Sequence, residues 1–107
     1  MDSHLILWRH AEASIGIKDI NRDLTEKGKL DGKEIAELLA KNYTNMSLFC
    51  SNAIRTINTS NYLVNILPKI KTYYFDKLYL ATSDEMINII YQNSINKKNI
   101  LCVGHNP

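Results

Sequence analysis

Long apolar runs are missing from these 107 residues, and so is any block of charge of one sign. No stretch approaches the ~20 apolar residues of a membrane span. The opening "MDSHLILW" lacks the basic start and long apolar core of a secretory signal. The expectation is a cytoplasmic protein with no membrane partner. Charge nearly balances, with 13 Lys and Arg against 11 Asp and Glu, a net of +2. The lysines are scattered and only Lys97 and Lys98 are adjacent, so no phosphate-tracking stripe exists and nucleic acid is not the expected partner. Cys50 and Cys102 are the only cysteines, each inside an apolar run ("SLFCS", "ILCVG"). Two are too few for a disulfide framework or a zinc site, and both read as buried, reduced thiols. No linker, repeat or low-complexity tract divides the chain, so residues 1–107 read as one domain.

What the sequence does contain is alternation. Short apolar runs, "HLILWR", "MSLFCS", "IKTYYF" and "NILCVG", read as four strands. Between them lie longer amphipathic stretches. Thr25 is placed to cap a helix over "EKGKLDGKEIAELLAKNY", with Gly28, Gly32, Ile35 and Leu39 on one face. A second helix spans residues 52–67, with Ala53, Ile57, Val64 and Leu67 inward and Pro68 stopping it. Its Asn, Ser and Thr content makes it weak in isolation. A third runs through "TSDEMINIIYQN", where Thr82 and Glu85 have capping-box spacing and Met86, Ile89 and Ile90 are apolar behind them. Strands alternating with helices imply an α/β fold, a mostly parallel sheet with helices on both faces.

In such sheets ligands bind beyond the carboxyl ends of the strands, and those ends are not random here. Arg9 and His10 follow the first strand. Ser51 and, one helical turn on, Arg55 follow the second. Ser83, Asp84 and Glu85 come after the third, and Gly104, His105 and Asn106 close the fourth. Two of the three histidines and two of the three arginines therefore fall on one rim. Arginine forks grip phosphoryl oxygens in pairs of parallel hydrogen bonds, and a neutral imidazole can attack phosphorus near pH 7. The rim reads as a site for a tetrahedral oxyanion, phosphate or sulfate.

These motifs resemble those of the histidine phosphatase superfamily, the phosphoglycerate mutase-like proteins. "LWRHAEA" is similar to its RHG or RHA signature, and "RDLTEKG" to its R-x-L-T-x-x-G stretch. "CSNAIRTINT" resembles its S-P-x-x-R-x-x-Q-T segment and "VGHNP" its second histidine motif. The small size and "LYLATSDEM" point to the SixA-type branch, the protein phosphohistidine phosphatases. The resemblance implies that His10 is the nucleophile and carries a phosphohistidine intermediate. Arg9 and Arg55 would hold the non-bridging oxygens and His105 would donate a hydrogen bond to the transferring group. The chemistry would be covalent and electrostatic, with no metal and no cofactor. A phosphorylated protein or a small phosphorylated molecule would be the substrate.

Some positions have two readings. Ser51 either binds the anion or caps the second helix, and Glu85 is either the proton donor to the leaving group or the N3 member of a capping box. Arg22 shapes the loop before the first helix or borders the pocket; Gly104 and Asn106 flank His105 as substrate contacts. The pattern also departs from the family: Asn52 stands for its proline and Asn58 for its glutamine. Relatives continue beyond the second histidine through a further helix and strand, whereas here Pro107 is the last residue. Either the chain is a fragment, or it is a short form, marginally stable or completed by association with a second copy over a sheet face or edge left uncovered. Two rivals to the phosphatase reading follow: a catalytically silent phosphate-binding or docking module, and a small-molecule phosphatase or phosphosugar mutase of the same superfamily.

Overall fold

The computed structural model of the chain describes residues 4–9, 13 and 18–104. Four parallel strands form the sheet: β1 (His4–Arg9), β2 (Met46–Ser51), β3 (Lys71–Phe75) and β4 (Asn99–Gly104), in the order β1-β4-β2-β3. The two most apolar strands, β2 and β4, take the centre, where each is hydrogen-bonded on both sides. All six residues of β4 are buried. The register sets Arg9 opposite Gly104 and Phe49 opposite both Tyr73 and Cys102.

Helices α1 (Glu26–Asn42), α2 (Ile54–Ile66) and α3 (Ser83–Gln92) connect the strands. Because successive strand side chains point to opposite faces, the sheet has two separate cores. Trp8, Leu48, Cys50, Leu101 and Val103 face α1 and α2, meeting Ala36, Leu39 and Leu63. Phe49, Ile100 and Cys102 face the other way, toward Met86, Ile89 and Ile90 of α3 and Leu78 of the turn before it. Helices on both faces of a parallel sheet are what the alternation implied.

The helices start where their caps are. The Thr25 hydroxyl accepts from the Gly28 N–H at 3.0 Å, satisfying a backbone donor that the first turn leaves unpaired. Along α1 the buried positions are Gly28, Gly32, Ala36 and Leu39. Ile35, expected inward, is 40% exposed. It sits about 100° round the helix from Ala36, and the small residue lets α1 approach its neighbours.

Helix α2 buries a different face from the one its apolar residues suggested. Thr56, Thr59, Ser60 and Leu63 are fully enclosed, whereas Ile57, Val64 and Leu67 are only partly covered. The hydroxyls meet their hydrogen-bonding needs locally. Thr59 donates to the Arg55 carbonyl at 2.7 Å and Ser60 to the Cys50 sulfur at 3.1 Å. Satisfied in this way, short polar side chains can be buried without the penalty of a lost hydrogen bond. Both cysteines are free and buried, as their apolar surroundings indicated, and burial pushes the Cys102 thiol up to about 12.

Candidate active site

The carboxyl ends of β1, β2 and β4 and the first turn of α2 define the rim. Arg9 ends β1 and pairs in register with Gly104, which ends β4. Arg9 and Gly104 also line a shared groove of about 230 Å³, together with Ser83, Met86, Leu5 and Leu7. A Cβ at Gly104 would lie 3.2 Å from the Met86 methyl, so the bare glycine lets α3 close on the end of β4. His10, His105 and Asn106 lie outside the described residues.

Arg55 is the best-defined charged group of the rim. It is 2% exposed, and a charge so enclosed has to be paired. Its Nη1 donates to the main-chain carbonyl of Asp19 at 2.6 Å and its Nη2 to the Asp19 carboxylate at 2.9 Å. The same carboxylate accepts from the Tyr79 hydroxyl and, through its other oxygen, from Arg22 at 3.1 Å. The Tyr79 ring also faces the Arg55 guanidinium, 5.9 Å from centroid to Cζ. Led by the Tyr79 and Arg55 hydrogen bonds, these contacts hold the Asp19 carboxyl far below the usual carboxylate range. The bond to Asp19 in turn raises the Tyr79 phenol. Arg22 therefore reaches the site through Asp19. Neither Asp19 nor Tyr79 stood out in the sequence; the nearest local signal was the three-residue spacing of Asp19 and Arg22.

Ser51 and Glu85, each open to two readings, make contacts within the protein. Ser51 is completely buried and its hydroxyl lies 2.7 Å from that of Thr56. It braces the turn from β2 into α2. It does not cap α2: the cap position is Ala53, with no side-chain bond. Glu85 completes the capping box, accepting from the Thr82 N–H at 3.0 Å while its own N–H donates to the Thr82 hydroxyl at 3.2 Å. The backbone hydrogen bond from Thr82 lowers the Glu85 carboxyl. The capping-box reading of Glu85 is borne out.

Around the rim, loops are tied by amides. Asn58 donates to Asp23 at 2.6 Å, fixing the segment before α1 against α2. Asn52 donates to Asp76 at 2.9 Å, linking the turn after β2 to the one after β3. Among the described residues no group of three or more His, Cys, Asp or Glu side chains could hold a metal ion, and no helix is long and apolar enough to cross a membrane. A larger cleft of about 550 Å³ lies at the opposite end of the molecule, between the ends of α1 and α2, lined mainly by apolar side chains such as Tyr43, Met46 and Ile70. It brings together none of the candidate residues.

The strand order, the direction of the sheet and the arginines at its carboxyl rim define a known architecture. The chain has the phosphoglycerate mutase-like fold of the histidine phosphatase superfamily. Its structural neighbours include SixA proteins. SixA of Agrobacterium tumefaciens, assigned as a phosphohistidine phosphatase, is 28% identical with a TM-score of 0.87; the match covers 100% of this chain and 71% of that one. SixA of Nakamurella multipartitia, assigned likewise, is 28% identical with a TM-score of 0.86, covering 96% of this chain. This chain thus spans 59% of the length of the Nakamurella protein. A SixA protein histidine phosphatase solved with tungstate shares the fold at 19% identity and a TM-score of 0.81, over 96% of this chain and 69% of that one. No family model matches the sequence, and no curated protein matches it either.

Proposed function

We propose that the chain is a phosphatase acting through His10, with protein phosphohistidine as its substrate. The observation that carries the reading is the register of β1 against β4: Arg9 and Gly104, which immediately precede the two histidines, are paired across adjacent strands. An imidazole nitrogen of His10 attacks phosphorus, the bond to the leaving group breaks, and water then hydrolyses the phosphohistidine to release phosphate and restore the imidazole. Arg9 and Arg55 bind the non-bridging oxygens, whose charge builds in the transition state, and His105 adds a hydrogen bond to the same group. Gly104 and Asn106 shape the wall beside it. A phosphohistidine ring protonated on the nitrogen remote from phosphorus departs as neutral imidazole when the P–N bond breaks, so this substrate makes the least demand for an acid, which fits the place of Glu85 in its helix cap. The neighbours' assignments and the tungstate complex of one of them agree with this chemistry.

Incubation with a phosphoramidate or an aryl phosphate should release phosphate and leave a mass increase of one phosphoryl group on the intact chain. Both should vanish in His10→Ala. Equal turnover by that variant removes His10 from the mechanism. Because the chain spans only part of its neighbours' length, the same experiment also tests a silent oxyanion-binding module, which would bind tungstate and never acquire the added mass.

A further inference from the structure

We propose that Asp19 and Tyr79 are positioning residues for Arg55, fixing the plane and direction in which its guanidinium meets a bound oxyanion. This rests on the rim being an oxyanion site, as read above. Three segments far apart in sequence converge here: the turn Asp19–Asn21, the first turn of α2, and Tyr79 just after the turn Asp76–Leu78. A simple ion pair would place both Arg55 nitrogens on the carboxylate. Instead one goes to the Asp19 main-chain carbonyl and the other to its side chain. The carbonyl carries no net charge, so the contact specifies orientation more than it neutralises. Tyr79 touches both members, donating to the Asp19 carboxylate and setting its ring face toward the guanidinium. Arg22 holds the second carboxylate oxygen, so Asp19 cannot rotate without breaking other bonds. A guanidinium has five N–H donors in a rigid plane; pinning one edge fixes the direction of all the others. An anion arriving at such a group does not have to order it first.

The sign of the effect separates this from mere charge balance. Removing the negative charge beside Arg55 should, by Coulomb attraction alone, make the site bind anions more tightly. Loss of positioning has the opposite effect. The experiment is calorimetric titration of wild type, Asp19→Asn and Tyr79→Phe with tungstate, with the thermal midpoint of each recorded. Wild type should bind, and both variants should bind about tenfold more weakly or worse, as expected for loss of a charge-assisted hydrogen bond. On an aryl phosphate the loss should fall on KM more than on kcat. Tighter binding by Asp19→Asn, or unchanged binding in variants whose only change is a lower midpoint, overturns the inference. If Asp19→Asn does not fold, Tyr79→Phe, which loses a single hydroxyl, decides alone. Failure of wild type to bind tungstate would instead sink the phosphatase reading itself.

Discussion

The two faces of the sheet are covered unequally. On one side α1 and α2 together enclose Trp8, Leu48, Leu101 and Val103. On the other, among the described residues, α3 and Leu78 of the turn before it form the cover, and the core stops at β4. Edge strand β1 records the difference residue by residue: Trp8 is buried beneath the helix pair, whereas Leu5 is 50% and Leu7 61% exposed on the opposite face. Parallel strands favour cover on both faces, and the more enclosed core lies on the α2 side. Arg55 and its partners sit there, while Arg9 borders the thinner side, on the groove beside α3.

The sharpest way to break this comparison is to cut a methyl cluster from each core. Leu48→Ala, where nothing is exposed, should cost roughly 2–5 kcal/mol, and Ile89→Ala on the inner face of α3 a value near the bottom of that range. Urea unfolding of both variants measures it; equal losses would mean that the faces are equally packed. Acid provides a smaller, graded contrast. Asp19 and Glu85 both have carboxyls lowered in the folded state, so each contributes stability above the ordinary carboxylate range of about 4 that is lost as pH falls. The exposed capping box of α3 should fail first and the Asp19 contacts at lower pH. Hydrogen exchange at the first turns of α3 and α2 should show that order, and the reverse order would refute it. The smallest effect belongs to the bare face: Leu7→Lys should shift stability by no more than about 0.5 kcal/mol while reducing any self-association seen by analytical ultracentrifugation.

Most of the scaffold was legible because it is local. The strands at 4–9, 46–51 and 99–104 match their apolar runs end to end, and the caps at Thr25 and Thr82 follow from hydroxyls placed before helical stretches. The face of α2 was not legible, since hydroxyls that satisfy themselves within the helix look polar in sequence and are buried in fact. The contact between Ser51 and Thr56 was not legible either, since it forms only where the strand turns into α2. The Asp19 contacts lie 36 and 60 residues from their partners, a separation that no periodicity marks. Placement of Arg9, Arg55 and Gly104 at one rim follows from strand direction. The two histidines lie outside the described residues, so their roles remain those proposed.

Cys50 and Cys102 sit on adjacent central strands yet point to opposite sides of the sheet, one into each core. Oxidation cannot join them across the backbone that separates them, and neither thiol is offered to a reagent in the closed molecule. Each becomes alkylatable only when the layer above it lifts, so the protein carries a built-in chemical clock for the breathing of either side.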